Sequence, residues 1–252
     1  MRETKNQAAW KEINRERNLI EEINEKGIYE ISSTEIKKIS GREPRLMAKF
    51  DHSENRPEIF KKNGISILPV GRRDYVLLKS NSYCDVECKK DNISLPSLEL
   101  SKYETIDIKN ISSEDNAIVV AEVTNMFSEF LEDEIKFTAR GKFGTGEFGF
   151  LVNSYDGIKD ISVSKAMAEL DAGFEGENFY IVEAKIGKVE DFNIRQLYYP
   201  YRYWDSKISK DVIPVFFTYS DGIFSFWKFR FNEKNNFNSI ELIYCSNYII
   251  QE

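Results

Sequence analysis

Glu169-Leu170-Asp171, followed shortly by Phe179-Tyr180-Ile181-Val182-Glu183-Ala184-Lys185-Ile186, decides how the rest of this chain is read. The second stretch is an apolar strand that ends in a Glu and a Lys two residues apart, against its own pattern. Side chains alternate across a strand, so Phe179, Ile181, Glu183 and Lys185 share one face and Tyr180, Val182, Ala184 and Ile186 the other. Burying charge is costly unless it is paired or coordinates a metal. A turn at Glu175-Gly176-Glu177-Asn178 folds the chain back as a hairpin and brings Asp171 beside Glu183. Two carboxylates and a lysine at one place are what metal-assisted phosphodiester hydrolysis requires, since it must activate a water and stabilise charge building on a phosphate.

The expected roles follow from the donor chemistry. Asp171, Glu183 and the backbone carbonyl of Ala184 are hard oxygen ligands suited to Mg²⁺. Lys185 positions or activates the attacking water, or neutralises the phosphoryl oxygens. Glu169 lies two residues before Asp171, on the same strand face by alternation, and is a candidate further acid. Gln196 and Arg195 open the next helical stretch, within reach of a substrate backbone if that helix end faces the site. An acid followed by Glu-x-Lys arises often by chance in a chain that is 31% charged. Its weight here comes from the apolar lead-in, the hairpin, and a helix on either side in sequence.

The chain has 252 residues, 41% of them apolar, enough for one large or two modest cores. No apolar run approaches the roughly 20 residues that span a bilayer. The polar start, Met1-Arg2-Glu3-Thr4-Lys5-Asn6-Gln7, leads into a charged helix rather than a signal sequence, so a cytoplasmic protein is expected. Cys84, Cys88 and Cys245 are too few for a disulfide framework, and no second Cys/His pair completes a zinc site, so reduced structural cysteines are expected. The only histidine, His52, sits beside Asp51 with no nucleophile signature near it, which weighs against a Ser-His-Asp triad. The net charge of −7 conceals local asymmetry: Ile36 to Lys79 carries eleven Lys/Arg against five Asp/Glu. A locally basic surface attracts polyanions whatever the total charge.

Working outward, residues 5–26 read as one amphipathic helix with Ala9, Trp10, Ile13, Leu19, Ile20 and Ile23 on its stripe, stopped by Gly27. Ser33 caps a short helix through Lys38, Pro44–Phe50 forms a second and Pro57–Lys62 a third. Strands at Ile65–Val70 and Tyr75–Leu78 flank the tip Gly71-Arg72-Arg73-Asp74. This order is winged-helix-like, and places Arg42, Arg45, Lys49, Arg72 and Arg73 as DNA contacts. Residues 80–111 read as a connector with strand-like pieces at Ile93–Leu100 and Thr105–Ile108. Ser113 starts a helix running to Leu131, and the trailing Glu132 and Glu134 either contribute an acid from that helix or form its solvated end. The Gly141–Gly146 run lacks a phosphate-loop pattern and reads as a tight turn. A helix over Asp191–Tyr199 stops near Pro200, and Arg202 beyond it offers a further DNA contact. Strands at Val212–Tyr219, Phe224–Phe231 and Ile240–Tyr244 complete a mixed-sheet α/β core.

The hairpin region resembles the PD-(D/E)xK nuclease superfamily, although Leu170 stands where that family's proline precedes the acid. Arg42-Glu43-Pro44-Arg45-Leu46-Met47-Ala48-Lys49-Phe50-Asp51, Arg140-Gly141-Lys142-Phe143-Gly144-Thr145-Gly146 and Arg195-Gln196-Leu197-Tyr198-Tyr199-Pro200-Tyr201-Arg202 resemble a bacterial family of type II restriction enzymes. The resemblance implies a restriction-endonuclease-like core over 111–252 and a helical, winged-helix-like module with connector over 1–110. It also implies Mg²⁺-dependent cleavage of double-stranded DNA at a specific sequence by a homodimer. The alternatives are a repair or mobile-element nuclease without a fixed site, and a catalytically silent DNA-binding regulator.

Overall fold

The structure, a computed structural model, describes residues 4–96 and 102–251. The N-terminal part begins with α1 (Lys5–Arg17) and α2 (Leu19–Lys26), where the apolar pattern predicts one helix. Asn18, in the left-handed region at φ 50°, breaks the run, and the Asn14 side chain caps the new start by accepting from the Ile20 N–H. Asn tolerates that conformation better than most residues, so it can serve as a hinge. Gly27 ends α2 as expected, at φ 79°.

Then come β1 (Ile28–Ser32), α3 (Ser33–Ser40), α4 (Pro44–Ala48), α5 (Glu58–Asn63), β2 (Ile65–Pro69) and β3 (Asp74–Lys79). Ser32 rather than Ser33 caps α3, in a reciprocal capping box with Glu35. β1 went unpredicted because Ile28-Tyr29-Glu30-Ile31-Ser32 is too short and mixed to show a period. It pairs with β3 in a three-stranded antiparallel sheet, order β1-β3-β2. One face of that sheet closes on the helices through Trp10, Ile13, Phe60, Ile67 and Leu77.

β4 (Tyr83–Asp85) and β5 (Asn92–Pro96) lie in the stretch read as a connector, yet both pair with later strands. The expected strand at Ile93–Leu100 is seen as β5, and its portion beyond Pro96 lies outside the described residues. Thr105–Ile108 forms turn and coil, not a strand. The helix expected from Ser113 to Leu131 is two, α6 (Glu114–Val123) and α7 (Met126–Leu131), parted at Asn125, φ 61°.

Next are β6 (Lys136–Gly144), β7 (Glu147–Ser154), β8 (Gly157–Ser164), β9 (Met167–Glu175), β10 (Phe179–Ile186) and β11 (Asp191–Asn193). The Gly141–Gly146 run is mostly strand β6, and only Thr145-Gly146 makes the turn. α8 (Arg195–Asp205), β12 (Val212–Ser220), β13 (Ile223–Phe231) and β14 (Ile240–Gln251) finish the chain. α8 starts four residues later than predicted, because Asp191–Asn193 is drawn into pairing with β4, and it runs on through Pro200. Proline removes one helical hydrogen bond, and the helix continues on the burial of Leu197, Tyr198 and Tyr199 in the turn before it.

The main sheet is mixed and seven-stranded, in the order β5-β14-β13-β12-β10-β9-β6. β10 is antiparallel to β9 and parallel to β12, with α8 as the crossover. The alternation read from β10 holds. Tyr180, Val182 and Ala184 pack against α6 and α7, with Phe127, Phe130, Phe217 and Phe226. Phe179 and Ile181 face Trp204 on the α8 side. Each buried ring in these layers contributes roughly 1.5–3 kcal/mol.

The two parts share a core: Leu68, Val76 and Leu78 of the small sheet pack with Phe150 and Ile161 of the β7–β8 hairpin and with Tyr198 and Tyr199 of α8. Tyr199 donates to the Pro69 carbonyl at 2.8 Å. The expected reduced cysteines are corrected at two positions. Cys88 and Cys245 form a disulfide, and only Cys84 is free. A separation of 157 residues gave the sequence no means of pairing them.

Candidate active site between the two parts

The β9–β10 hairpin aligns Val182 with Ala172, and the same register continued one step sets Glu183 opposite Asp171. The ladder stops there. Asp171 Oδ2 accepts instead from the Ala184 N–H at 2.8 Å. β9 also carries a bulge: Gly173 pairs with Ala139 but Leu170 with Gly141, so an extra residue sits on β9 between them. Leu170 accordingly packs on the α8 side with Phe179, whereas Ala172 and Phe174 pack under α6 and α7. Bulges re-aim side chains, and this one lies at Asp171. It also undoes the simple spacing rule that placed Glu169 on the face of Asp171. Glu169 lines the same cleft but pairs with Lys142 at 3.4 Å.

Glu183 is only 6% exposed. Lys185 Nζ and Gln196 Nε2 both donate to its Oε1, and Lys185 also donates to the Ala184 carbonyl at 2.8 Å. Lys185 reaches Glu114, in the first turn of α6, at 3.7 Å. Burial pushes the Glu183 carboxyl up to about 8, with the Lys185 charge opposing and Asp171 adding to the rise. Burial likewise raises Asp171, against the hydrogen bond from Ala184 and the charge on Lys185. For Lys185 burial favours the neutral form, but Glu183, Glu114 and Asp171 outweigh it and hold the ammonium above its ordinary value.

These groups floor a cleft of about 620 Å³ whose opposite wall comes from the N-terminal part. Arg45, Lys49 and Arg72 line that wall, and Arg195 and Gln196 stand at the start of α8 as expected. Arg73 lies outside the cleft, in an adjoining cavity. Of the cleft cations Lys49 is paired with Asp51 at 3.3 Å, and the other two cations expected to contact DNA also have internal partners. Arg42 donates to the Asn6 side chain at 2.9 Å. Arg202 donates to the Gly149 carbonyl and the Tyr198 hydroxyl and covers the Phe148 ring, holding β7 to α8.

Two acids of the cleft went unremarked as site residues. In sequence Glu114 is an ordinary first-turn helix acid, and Asp51 stands beside His52 at the end of the Arg42–Asp51 stretch, with no local signal of a site in either place. Asp51 is fixed by a tether: its carbonyl accepts from Asn193 at 2.9 Å, His52 Nδ1 lies 2.6 Å from the Asp191 carbonyl, and Ser53 donates to Asp191 Oδ1 at 2.9 Å. Asp51 Oδ1 and Gln196 Oε1 are buried acceptors of the cleft with no hydrogen-bond partner among the described residues.

The donor set fits Mg²⁺. Among the described residues no group of three or more His, Cys, Asp or Glu side chains is spaced to cage a metal. Mg²⁺ needs no such cage, because it keeps several waters and takes one or two carboxylates. The bonds above leave Asp171 Oδ1 and Glu183 Oε2 uncommitted, and the Ala184 carbonyl keeps a second lone pair. The two orphaned acceptors can receive hydrogen bonds from metal-bound water.

Fold and site together define an α+β protein with a mixed sheet, whose two carboxylates, lysine and glutamine meet in a cleft with a cationic wall. Residues 78–249 match the family described as Domain of unknown function (DUF6997), and the chain belongs to it. Residues 7–77 match a second, Domain of unknown function (DUF6996). No curated protein and no solved structure matches the chain. Among the described residues no helix is long and apolar enough to cross a membrane.

Proposed function

We propose that this protein is a Mg²⁺-dependent type II restriction endonuclease, cutting double-stranded DNA at a specific sequence. The observation that carries the reading is the meeting of Asp171, Glu183, Lys185 and Gln196 under a wall of Arg45, Lys49 and Arg72. Acids alone would repel a polyanion, and the opposed cations are what let one approach. The order α6/α7, β6, β9, β10, α8, β12 supports a PD-(D/E)xK core, with β7–β8 as an insertion. The order of α1 to β3 supports a winged-helix-like module, with Arg72 and Arg73 at the wing tip.

Asp171 and Glu183 would hold the metal, assisted by the Ala184 carbonyl. Bound there, Mg²⁺ would supply charge stabilisation at the phosphate and acidify a water. Lys185 holds its proton throughout and stabilises negative charge as it develops on the phosphoryl oxygens. Gln196 fixes the Glu183 carboxylate, and Arg195, on the same helix end, contacts the substrate backbone. Cutting both strands calls for two such sites, hence a homodimer.

The test incubates purified protein with unmethylated plasmid and phage DNA, with Mg²⁺ or EDTA, beside Asp171→Ala. Discrete bands that need Mg²⁺ and vanish in the variant support the reading. A smear points to a nuclease without a fixed site, and DNA bound but uncut under every condition to a regulator.

A further inference from the structure

A second cavity, of about 440 Å³, adjoins the cleft. Lys37, Arg45, Arg72 and Arg73 line it against one acid, Glu43. All four cations are exposed, and none forms an ion pair among the described residues. That sets them apart from Arg15, Lys26, Lys61, Arg140 and Arg230, each of which has an acidic partner. Unneutralised cations crowded at one place raise the protein's own electrostatic energy, and an anion relieves it.

The backbone holds this arrangement in place. The Ser33 N–H donates to the Arg73 carbonyl at 2.6 Å, and Ser32 pairs with Asp74 across β1 and β3. The α3 residue Lys37 and the Arg72-Arg73 tip are therefore carried on one rigid joint. Ser33 and Thr34 add hydroxyl donors to the same lining. Arg45, Arg72 and Tyr75 line both cavities, so the cleft and the second cavity are immediate neighbours separated by these side chains.

We propose that the second cavity seats a backbone phosphate of the same DNA strand that lies in the cleft, a short way along from the scissile bond. This rests on the nuclease reading and deepens it. Arg45 and Arg72 bridge the two positions, while Lys37 and Arg73 serve the outer phosphate alone. The N-terminal part thereby sets the register of the strand over Asp171 and Glu183 by phosphate contacts that carry no sequence information of their own.

The experiment measures binding of a short duplex oligonucleotide in EDTA over a range of salt, for the wild type and for a Lys37→Gln, Arg73→Gln variant. Both residues are exposed, so circular dichroism and melting should match the wild type. A neutralised phosphate contributes about 0.9 to the slope of log K against log salt. The expected result is a slope smaller by about 1, with binding weakened equally on every sequence. A Lys62→Gln, Lys188→Gln control, which removes two cations outside both cavities, should keep the wild-type slope. Wild-type binding with an unchanged slope in the Lys37/Arg73 variant, or an equal loss in the control, overturns the phosphate seat and leaves the nuclease reading standing. Failure of the wild type to bind DNA at all overturns both.

Discussion

Lys185 is the residue on which the site's electrostatics turn. It touches Glu183, the Ala184 carbonyl and Glu114 at once, so its loss leaves the buried Glu183 carboxyl without one of its two donors. On the proposed nuclease reading, Lys185→Ala lowers Mg²⁺-dependent cleavage on the order of 10²–10³-fold, the loss expected for a donor aimed at developing charge; single-turnover kinetics would show it. Gln196→Ala should act through Glu183 and weaken apparent Mg²⁺ affinity on the order of 10–100-fold, visible as a shifted metal titration with the rate at saturating Mg²⁺ less affected. Glu183 also imposes a pH dependence with a definite sign. Its carboxyl, raised to about 8 by burial, holds a proton in the folded state that the unfolded chain has released above its ordinary carboxylate range. Metal-free stability therefore falls as pH rises towards 8. If Glu183 ligates Mg²⁺ as proposed, binding must displace that proton, so Mg²⁺ should raise the melting temperature more at pH 8.5 than at pH 6.5. Differential scanning fluorimetry checks this, and Glu183→Gln should flatten the difference.

The elements matter through their junctions. The bulge at Asp171 and the early close of the β9–β10 ladder are single-residue irregularities, yet they aim the acid at the site. Hydrophobic period identifies a strand without revealing a bulge, since the signal averages over several residues. Hence the hairpin and its two faces were legible in sequence, while the relation of Glu169 to Asp171 was not. The breaks at Asn18 and Asn125 were hidden for the same reason: the apolar stripe continues across both, and one left-handed residue redirects the axis. The disulfide joins the segment after β4 to β14 at the far side of the main sheet. Its reduction, or Cys245→Ser, should lower stability on the order of 2–4 kcal/mol, read as an earlier urea midpoint under reducing conditions.

In the whole molecule the site exists because two parts meet. Asp191 and Asn193 of β11 hold the 50–53 segment directly before α8, the helix that carries Gln196. Asp191→Ala leaves the Ser53 N–H without its acceptor and should cost about 1–3 kcal/mol. On the proposed nuclease reading cleavage falls along with stability, because the cationic wall then loses its register over the carboxylates; denaturation curves run beside activity assays would show the two together. The sequence by itself determined the helices and strands with a clear period, the β9–β10 hairpin, and the set Asp171, Glu183 and Lys185, because alternation and turn chemistry are local; that Gln196 reaches Glu183 was decided by how α8 packs. Only the tertiary structure decided that Glu114 and Asp51 join that set, that Arg42 and Arg202 have internal partners, that Cys88 meets Cys245, and that Lys37 belongs with Arg72 and Arg73. Those outcomes depend on contacts between residues far apart in the chain, and such contacts are settled by how the layers pack rather than by any local pattern.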